Sequence, residues 1–345
     1  MIFCGYAPSL PPLAPRGRGT IHIQHFPKRL ILSPGDIPTT DYYLSSRFGQ
    51  LENSPLVRLD ARRLPDAIPA LQGYFVVIVR HASPEWLGLL AAHQHQLAGV
   101  IYLMDDDIPA AWRCWDVPLD YGLWTSTRYW RIRHRLAQVC DEWWVSTPEL
   151  ARRYPGSRLV PPLPFAMAND PAPVGCRRWA YHGTRVHERE LRWIVPIVEA
   201  VHKAIPEAEF EVFGGQAVQR LFAHIPRVTV RPPLPWPEYV AYCRANPLAV
   251  GLAPLLPGRF NAARSHSKAF DILRCGAVGL FSNRPPYSTA LAGSGAILLP
   301  DELQRWVEWA IRLLQEDGLR QALFKEMYAF VSALKDEDLE GLFRW

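Results

Sequence analysis

The chain has 345 residues, of which 49% are hydrophobic and 21% are charged, and its formal net charge is +5. Single hydrophobic cores stop growing at about 250–300 residues, so two domains are expected. The composition is typical of a folded globular protein and excludes global disorder. The mild positive charge suits an anionic small ligand, but it is too diffuse to indicate a nucleic-acid-binding protein.

The six cysteines are scattered and form no Cys-x-x-Cys pair, so neither a disulfide framework nor a zinc site is expected. The sequence has no run of about 18 apolar residues, which a membrane-spanning helix would need. The first residues also lack the apolar core of a secretory signal. These features predict a cytoplasmic protein, and peripheral contact with the inner face of a membrane stays open.

In the first half of the chain, short apolar runs alternate with segments of helical spacing. The apolar runs predict strands at residues 29–33, 74–80, 100–105 and 142–147. The helical spacing predicts helices at residues 41–48, 84–97 and 127–139. Buried strands separated by helices indicate a parallel sheet that is covered on both faces. A proline-rich stretch at 160–175 follows and predicts a linker, because proline interrupts helices and sheet ladders.

The same alternation restarts after the linker. Strands are predicted at residues 179–183, 209–215, 228–232, 248–255 and 277–282. Helices are predicted at 188–203, 237–244 and 265–275, the last one with Gly276 just past its end, and the chain is largely helical from 301. We therefore predict an N-terminal domain over 1–165, a C-terminal domain over 166–325, and a helix over 326–345 that packs back towards the N-terminal domain. Ligands in such α/β sheets lie beyond the carboxyl ends of the strands, so we expect a cleft between the two domains.

The most informative segment spans residues 260–288. Ser265 is predicted to cap a helix, whose free N–H groups and positive end would combine with Arg264 and Lys268 to suit a diphosphate. Asp271 lies three residues after Lys268 and therefore on the same face, where its carboxylate could accept hydrogen bonds from ribose hydroxyls. The alternative is a capped surface helix with a Lys268–Asp271 ion pair.

A second group of candidate residues follows the first strand of the C-terminal half. Gly183 would let the backbone approach a ligand closely, and Thr184 could bind a phosphate or cap a helix. Arg185 and His187 add hydrogen-bond donors near the same place, although a single histidine can equally be structural. Gly214, at the end of a later strand, is predicted to line the same cleft.

Three adjacent carboxylates, Asp105, Asp106 and Asp107, follow the predicted strand at 100–105. A metal site is one interpretation. An acidic cluster at the start of a helix is another, because acids are favoured near the positive end of the helix dipole. The basic and aromatic stretch at 127–138 could touch an anionic acceptor or a membrane, or it could be the solvated face of a helix.

The segment at 260–288 resembles the donor-binding signature of retaining GT-B glycosyltransferases, in the large group 1 (family 4-like) that includes many polysaccharide and lipid-sugar enzymes. These enzymes carry two glutamates separated by seven residues and followed by a glycine. Counting back from Gly276, Asp271 takes the place of the second glutamate, which holds the ribose, and Ala263 takes the place of the first. The missing glutamate leaves the donor sugar and the stereochemistry open.

The chain is more similar to a subgroup that carries Gly-Thr-x-x-His and Ser-x-x-Lys-x-x-acid patterns. Gly183, Thr184 and His187 match the first pattern, and Ser265, Lys268 and Asp271 match the second. The resemblance covers residues 140–290, is looser over 70–110 and is absent before residue 30.

The resemblance implies an α/β protein of the GT-B architecture, with two Rossmann-like domains whose parallel sheets face a central cleft, and a C-terminal helical tail. It implies a metal-independent, hexosyltransferase-type enzyme that transfers a sugar from a UDP- or GDP-sugar to a saccharide, lipid-linked or small-molecule acceptor, with retention, in glycan or glycoconjugate biosynthesis. The donor is a substrate, so no cofactor is expected. By this resemblance, Lys268, Arg264 and Arg185 stabilise the leaving diphosphate; Gly183, Thr184, His187, Gly214, Ser265 and Asp271 bind the donor; and Asp105, Asp106 and Asp107 lie on the acceptor side.

Two alternatives stay open. Because Ala263 replaces the first glutamate, the chain could be a non-catalytic partner or regulatory subunit of the same fold, which binds a nucleotide-sugar or a protein without transfer. A non-hydrolysing sugar-nucleotide epimerase shares the architecture, but it would need further acids and histidines in the cleft. No Gly-x-Gly-x-x-Gly motif follows a strand, so nicotinamide binding is disfavoured.

Overall fold

The computed structural model describes residues 10–13, 28–49, 56–183 and 185–335, with the backbone alone at Arg185. These residues form two compact units. The first extends to Trp115 and continues over Leu119–Leu163, and the second comprises Asp116–Pro118 and Pro164–Lys335. The end of the predicted C-terminal segment, residues 336–345, lies outside the described part.

The first unit is built on a parallel sheet with the strand order β2-β1-β3-β4-β5-β6. Its strands are β1 (Lys28–Ser33), β2 (Leu56–Asp60), β3 (Tyr74–Val79), β4 (Gly99–Met104), β5 (Glu142–Val145) and β6 (Arg158–Leu159). Its helices are α1 (Pro38–Thr40), which continues through a π turn (Asp41–Ser45) into α2 (Ser46–Phe48), then α3 (Pro84–Ala92), α4 (Leu119–Val139) and α5 (Pro148–Arg153). Short 3₁₀ helices lie at Gln94–Gln96 and Ile108–Arg113.

The second unit has a parallel sheet with the strand order β12-β11-β10-β7-β8-β9. Its strands are β7 (Arg178–Tyr181), β8 (Glu209–Phe213), β9 (Val228–Arg231), β10 (Val250–Ala253), β11 (Val278–Ser282) and β12 (Ile297–Leu299). Its helices are α6 (Glu188–Ala204), α7 (Gln216–Phe222), α8 (Trp236–Ala245), α9 (Lys268–Arg274), α10 (Tyr287–Ala290), α11 (Leu303–Gln315) and α12 (Asp317–Ser332). Short 3₁₀ helices lie at Arg185–His187 and Asn261–Ala263.

The predicted buried strands are confirmed wherever an apolar run is long. Every residue of β3 and of β4 is buried, which explains why these runs show no alternation of polar and apolar residues. Three strands, β2, β6 and β12, have no counterpart in the predictions. Strand β2 is half-exposed along most of its length, and β6 and β12 have only two and three residues, so none of them carries a strong hydrophobic signal.

Helix α6 confirms the helix predicted at 188–203 and buries one face. The residues that face the core are Leu191, Ile194, Val198 and Val201, each at most 3% exposed. Burial of one such side chain is worth about 1.5–3 kcal/mol, so this stripe anchors the helix that follows β7. Pro196 lies inside α6, as the sequence predicts. The ring of Trp193 also packs edge-on against Trp306 of α11, with centroids 5.2 Å apart.

Two glycines fix the position of α9. A Cβ atom on Gly251, in the middle of β10, would lie 2.7 Å from Cγ1 of Ile272, so the helix lies directly against the strand backbone. Gly276 has a φ of +68° and ends the helix, as predicted, because glycine adopts this left-handed conformation without strain. A side chain there would also come within 2.9 Å of the backbone oxygen of Asp170.

We expect Gly251→Ala to destabilise the protein by roughly 1–3 kcal/mol, because the new methyl group overpacks the contact with Ile272. Urea unfolding followed by circular dichroism measures this change. The control is Gly88→Ala on α3, where a Cβ meets no atom within 4 Å and alanine has the higher helix propensity. Equal stability of Gly251→Ala and wild type would contradict the close approach of β10 and α9.

None of the helices in the described part of the chain combines the length and apolar character of a membrane span.

Candidate functional site

The second sheet has one place where its strand order reverses. Strand β7 pairs with β8 on one side and with β10 on the other, and the chain runs outward from this centre in both directions. The loops that leave the carboxyl ends of β7 and β10 therefore diverge and open a crevice, which is the usual ligand position in open α/β sheets. Residues 182–187 and 254–267 form these two loops, and they contain most of the predicted donor-binding residues.

The helix that follows the β10 loop begins later than the sequence predicts. The prediction that Ser265 caps it is wrong: α9 begins at Lys268, and Ser267 occupies the cap position without a side-chain hydrogen bond to the backbone. The reason is the preceding loop, in which a 3₁₀ turn over 261–263 ends at an extended Arg264. With only seven residues, α9 also supplies a weaker dipole than the expected longer helix. The side chain of Ser265 instead donates to Ser267 at 3.2 Å.

A buried carboxylate that is distant in sequence holds the loop after β10. Asp116, which belongs to the second unit and is 2% exposed, accepts hydrogen bonds from the backbone N–H groups of Phe260 and Asn261 at 3.2 and 2.7 Å. A Cβ on Gly258 would overlap its side chain. These contacts fix the turn that brings Ala263 and Arg264 to the edge of the sheet.

Lys268 is held by one carbonyl and one carboxylate. Its Nζ donates to the backbone oxygen of His182 at 2.6 Å and to Oδ2 of Asp271 at 3.1 Å. The Oδ1 atom of Asp271 accepts from Arg274 at 2.8 Å, and Arg274, fully buried, also donates to the backbone oxygen of Phe165 at 2.7 Å. Asp271 therefore neutralises two cations, of which Lys268 is the more accessible, with 21% of its side chain exposed. The predicted ion pair is present, and the ribose-binding role of Asp271 stays a prediction.

Arg264 and His187 meet across the two loops. The guanidinium group donates to the ring of His187 and lies over the ring of Phe260, 5.1 Å from its centroid. Burial lowers the pKa of His187 well below its usual value, and the positive charges of Arg264 and Lys268 lower it further. His187 is therefore a neutral hydrogen-bond acceptor at neutral pH, and it orients the arginine rather than adding a positive charge.

Three buried polar atoms around this contact have no hydrogen-bond partner within the described part of the chain: Oη of Tyr181, Oε2 of Glu190 and Nε of Arg264. The other oxygen of Glu190 accepts from the backbone N–H of Leu256 at 3.1 Å and from the side chain of Asn261 at 2.8 Å. An unpaired buried polar atom costs about 1–3 kcal/mol, so three of them in one place indicate a site that a ligand completes.

Tyr181 and Glu190 were not among the site residues predicted from the sequence. Burial and the nearby Glu190 carboxylate raise the pKa of Tyr181 well above its usual value, so its hydroxyl is a hydrogen-bond donor at neutral pH. The available signal was their position: Tyr181 ends β7, and Glu190 lies in the first turn of α6 after the glycine loop.

The predicted glycines lie where expected, but protein side chains occupy the space beside them. A Cβ on Gly183 would lie 2.6 Å from the ring of Tyr181, and a Cβ on Gly214 would lie 2.4 Å from the side chain of Val218. Thr184 lies outside the described residues. Only the backbone of Arg185 is described, in a 3₁₀ helix, so its predicted role stays a prediction.

In the first unit, the three consecutive carboxylates are engaged by cations. Arg80 binds Asp105 through two hydrogen bonds of 2.5 and 2.6 Å and reaches Asp106 at 3.1 Å. Asp107 is fully buried and accepts from Arg153 at 2.5 Å and from the hydroxyl group of Tyr154. The run thus stabilises the carboxyl end of β4, and its acceptor-side role stays a prediction.

A second polar cluster lies around the side chain of His182. Its Nε2 lies 3.1 Å from Oε1 of Glu211, and its Nδ1 lies 3.1 Å from the hydroxyl group of Tyr239. Burial raises the pKa of Glu211, but hydrogen bonds from His182 and other donors lower it to about 2. Burial lowers the pKa of His182, and hydrogen bonds with Cys243 and Glu211 raise it to a value above the usual one.

Two thiols complete this cluster. A hydrogen bond from Cys275 lowers the pKa of Cys243, burial opposes this, and His182 lowers it further, to about 6. The hydrogen bond with Cys243 and burial raise the pKa of Cys275 well above its usual range. This cluster was not predicted from the sequence, because its members come from four separate elements or the residues directly after them: β7, β8, α8 and α9.

No protein-family profile and no curated protein matches the sequence. Solved structures do match. Staphylococcus aureus TarM in complex with UDP, fondaparinux and alpha-GlcNAc-glycerol has a TM-score of 0.55 at 9% identity, covering 78% of this chain and 55% of TarM. A UDP-forming trehalose-phosphate synthase from Burkholderia vietnamiensis has a TM-score of 0.53 at 11% identity, covering 92% of this chain and 98% of that one. The Thermobaculum terrenum O-GlcNAc transferase has a TM-score of 0.50 at 12% identity, covering 97% and 68%.

The chain thus spans 55% of the length of TarM. At these identities the likeness shows the fold, which is of the GT-B type with two Rossmann-like domains, each with a six-stranded parallel sheet. The predicted fold class is confirmed in this respect.

His266, which is half-buried just before α9, should make the stability of the protein depend on pH. Burial lowers its pKa from 6.5 to about 4, so the unfolded chain binds a proton at pH 5 that the folded chain does not. Stability should therefore fall as the pH drops below 6.5, and His266 should account for about 2 kcal/mol of the loss between pH 7 and pH 5. Urea unfolding at both pH values should show a smaller loss for His266→Gln than for wild type.

The control for this measurement is His95→Gln, because His95 is exposed. It should keep the pH dependence of the wild type. If His266→Gln and His95→Gln lose equal stability between pH 7 and pH 5, then burial does not keep the proton off His266 in the folded chain.

Proposed function

We propose that the protein is a glycosyltransferase whose nucleotide-sugar donor binds at the carboxyl edge of the second sheet, between β7 and β10. The observation that carries this proposal is the combination of two cations, Arg264 and Lys268, with unpaired buried polar atoms at the point where the strand order reverses. The structural neighbours support a nucleotide-sugar donor, since their names include a UDP complex and a UDP-forming enzyme.

The charge of the site suits the diphosphate of such a donor. Arg264 lies on the loop after β10 and Lys268 begins the helix that follows; the neutral His187 adds no charge beside Arg264, and Lys268 shares its charge with Asp271. Cations placed where a leaving diphosphate gains charge lower the barrier to sugar transfer. We assign this role to Lys268 and Arg264, with Arg185 as the third cation of the predicted set.

Neighbouring groups would hold the nucleoside and the sugar. We assign Asp271 to accept hydrogen bonds from ribose hydroxyl groups, and Oε2 of Glu190 and the hydroxyl group of Tyr181, neither of which has a hydrogen-bond partner among the described residues, offer an acceptor and a donor in the same region. Gly183, Thr184, Gly214 and Ser265 complete the proposed donor set, and the Asp105–Asp107 run is the proposed acceptor-side element. Retention, a UDP- or GDP-sugar donor, metal independence and a role in glycan biosynthesis belong to the same proposal.

A non-catalytic member of the fold is the second candidate. Ala263 is fully buried in the 3₁₀ turn of the β10 loop and offers no carboxylate at the position of the missing glutamate. Such a protein would bind the nucleotide-sugar but neither transfer nor hydrolyse the sugar.

We expect Lys268→Ala to weaken binding of the preferred nucleotide-sugar roughly 10- to 100-fold, because a charged hydrogen bond to phosphate contributes about 1.5–3 kcal/mol. A thermal-shift panel of UDP-, GDP-, dTDP- and CMP-sugars identifies the donor, and titration calorimetry then gives the Kd. Lys203→Ala is the matched control, since Lys203 is an exposed lysine at the far end of α6.

Equal donor affinity of Lys268→Ala and Lys203→Ala would refute the site assignment. A donor hydrolysis assay on the wild type separates the two candidate functions. Donor binding with no release of sugar, with or without candidate acceptors, would favour the non-catalytic protein.

A further inference from the structure

Three side chains that can bind a metal ion through nitrogen or sulfur lie close together beside the proposed donor site. The side chains of His182, Cys243 and Cys275 place their ligand atoms within 4.8 Å of one another. They come from the end of β7, from α8 and from the C-terminal end of α9, so no short sequence spacing brings them together. Both cysteines are at most 2% exposed and neither is in a disulfide. We propose that these three residues bind a thiophilic divalent cation of the Zn²⁺ class.

The distances allow such a site with small side-chain movements. Zinc binds sulfur at about 2.3 Å and imidazole nitrogen at about 2.0–2.1 Å, so tetrahedral ligand atoms lie roughly 3.5–3.8 Å apart. The three atoms already lie within 4.8 Å of one another and need to approach by about 1 Å. Small rotations of the two cysteine side chains about their Cα–Cβ bonds can supply this movement.

The surroundings of His182 match those of a metal-binding histidine. Its Nε2 faces Oε1 of Glu211 at 3.1 Å, and a carboxylate that accepts the second N–H of a ligating imidazole fixes both the tautomer and the ring orientation. Arg231 and Tyr242 hold Glu211 from its other side. The Nδ1 atom is then the ligand. A cation at Nδ1 would replace the hydrogen bond between this atom and the hydroxyl group of Tyr239, which lies 3.1 Å away and would turn aside.

Charge balance selects the class of cation. Binding would release the two thiol protons to solvent, and the resulting two thiolates with one neutral imidazole offset a divalent charge, so the complex is neutral and avoids the penalty of a buried net charge. Mg²⁺ and Ca²⁺ prefer oxygen ligands, whereas Zn²⁺ accepts sulfur and nitrogen. A small cavity beside the cluster is lined by His182, Cys275 and Asp271 among others.

The cation would tie together the elements that position Lys268. The backbone oxygen of His182 accepts the 2.6 Å hydrogen bond from Lys268, and Cys275 lies just after the last residue of α9, the helix that begins with Lys268. Metal loading should therefore tighten donor binding through the position of Lys268, while the proposed sugar transfer itself needs no metal ion at the diphosphate. This consequence rests on the proposed function, whereas metal binding itself does not.

The experiment loads the chelator-treated full chain with Zn²⁺ or Co²⁺. We expect one equivalent of zinc by elemental analysis, and a cobalt spectrum with the sulfur-to-metal charge-transfer and ligand-field bands of a tetrahedral thiolate site. Cys243→Ala and Cys275→Ala should each lose the charge-transfer intensity and most of the affinity. Cys140→Ala, which removes a buried cysteine of the first unit, should keep both.

A second measurement does not depend on the folding of the variants. Zinc should protect Cys243 and Cys275 of the wild-type chain from alkylation, as read by peptide mass spectrometry, and should leave the rate at Cys176 unchanged. Binding of less than one equivalent, a cobalt spectrum without thiolate bands, or equal alkylation with and without zinc would each overturn the metal site. Stoichiometric zinc binding without any effect on donor affinity would overturn only the link to the donor site.

Discussion

The carboxylate of Asp271 fixes the geometry at the carboxyl edge of the second sheet, where the donor is proposed to bind. It faces Arg274, which is fully buried and therefore cannot be left without a counter-charge, and it also holds Lys268 at the start of α9. A buried cation that loses its partner costs about 3–5 kcal/mol. The same carboxylate therefore stabilises the fold and positions Lys268, the more accessible of its two cationic partners.

His182 connects this edge to the buried interior. Its backbone oxygen accepts from Lys268, while its side chain lies between Glu211 and Tyr239. Loss of the Glu211 hydrogen bond would therefore act on the same residue whose backbone orients Lys268. The sequence shows only a histidine at the end of a strand, and neither contact could be predicted from it.

The sequence predicts the sheets well and the site only in part. Long apolar runs such as β3 and β4 predict buried strands, because complete burial removes the need for polar residues at any position. Helix starts are harder, as the error at Ser265 shows: the extended Arg264 and the turn before it depend on a buried Asp116 that is distant in sequence. Glu190 and the Cys243–Cys275 pair were missed for the same reason, since their partners come from other elements.

The structural role of Asp271 does not exclude its proposed role in binding ribose. An ionised carboxylate has about four lone-pair positions, and Lys268 and Arg274 bind different oxygens of Asp271. If Lys268 turns towards a diphosphate, Oδ2 loses one donor and can gain another from the same ligand. The buried Arg274 keeps the carboxylate ionised and in place throughout this exchange, so one acid can be both the counter-charge of the fold and the ribose acceptor of the site.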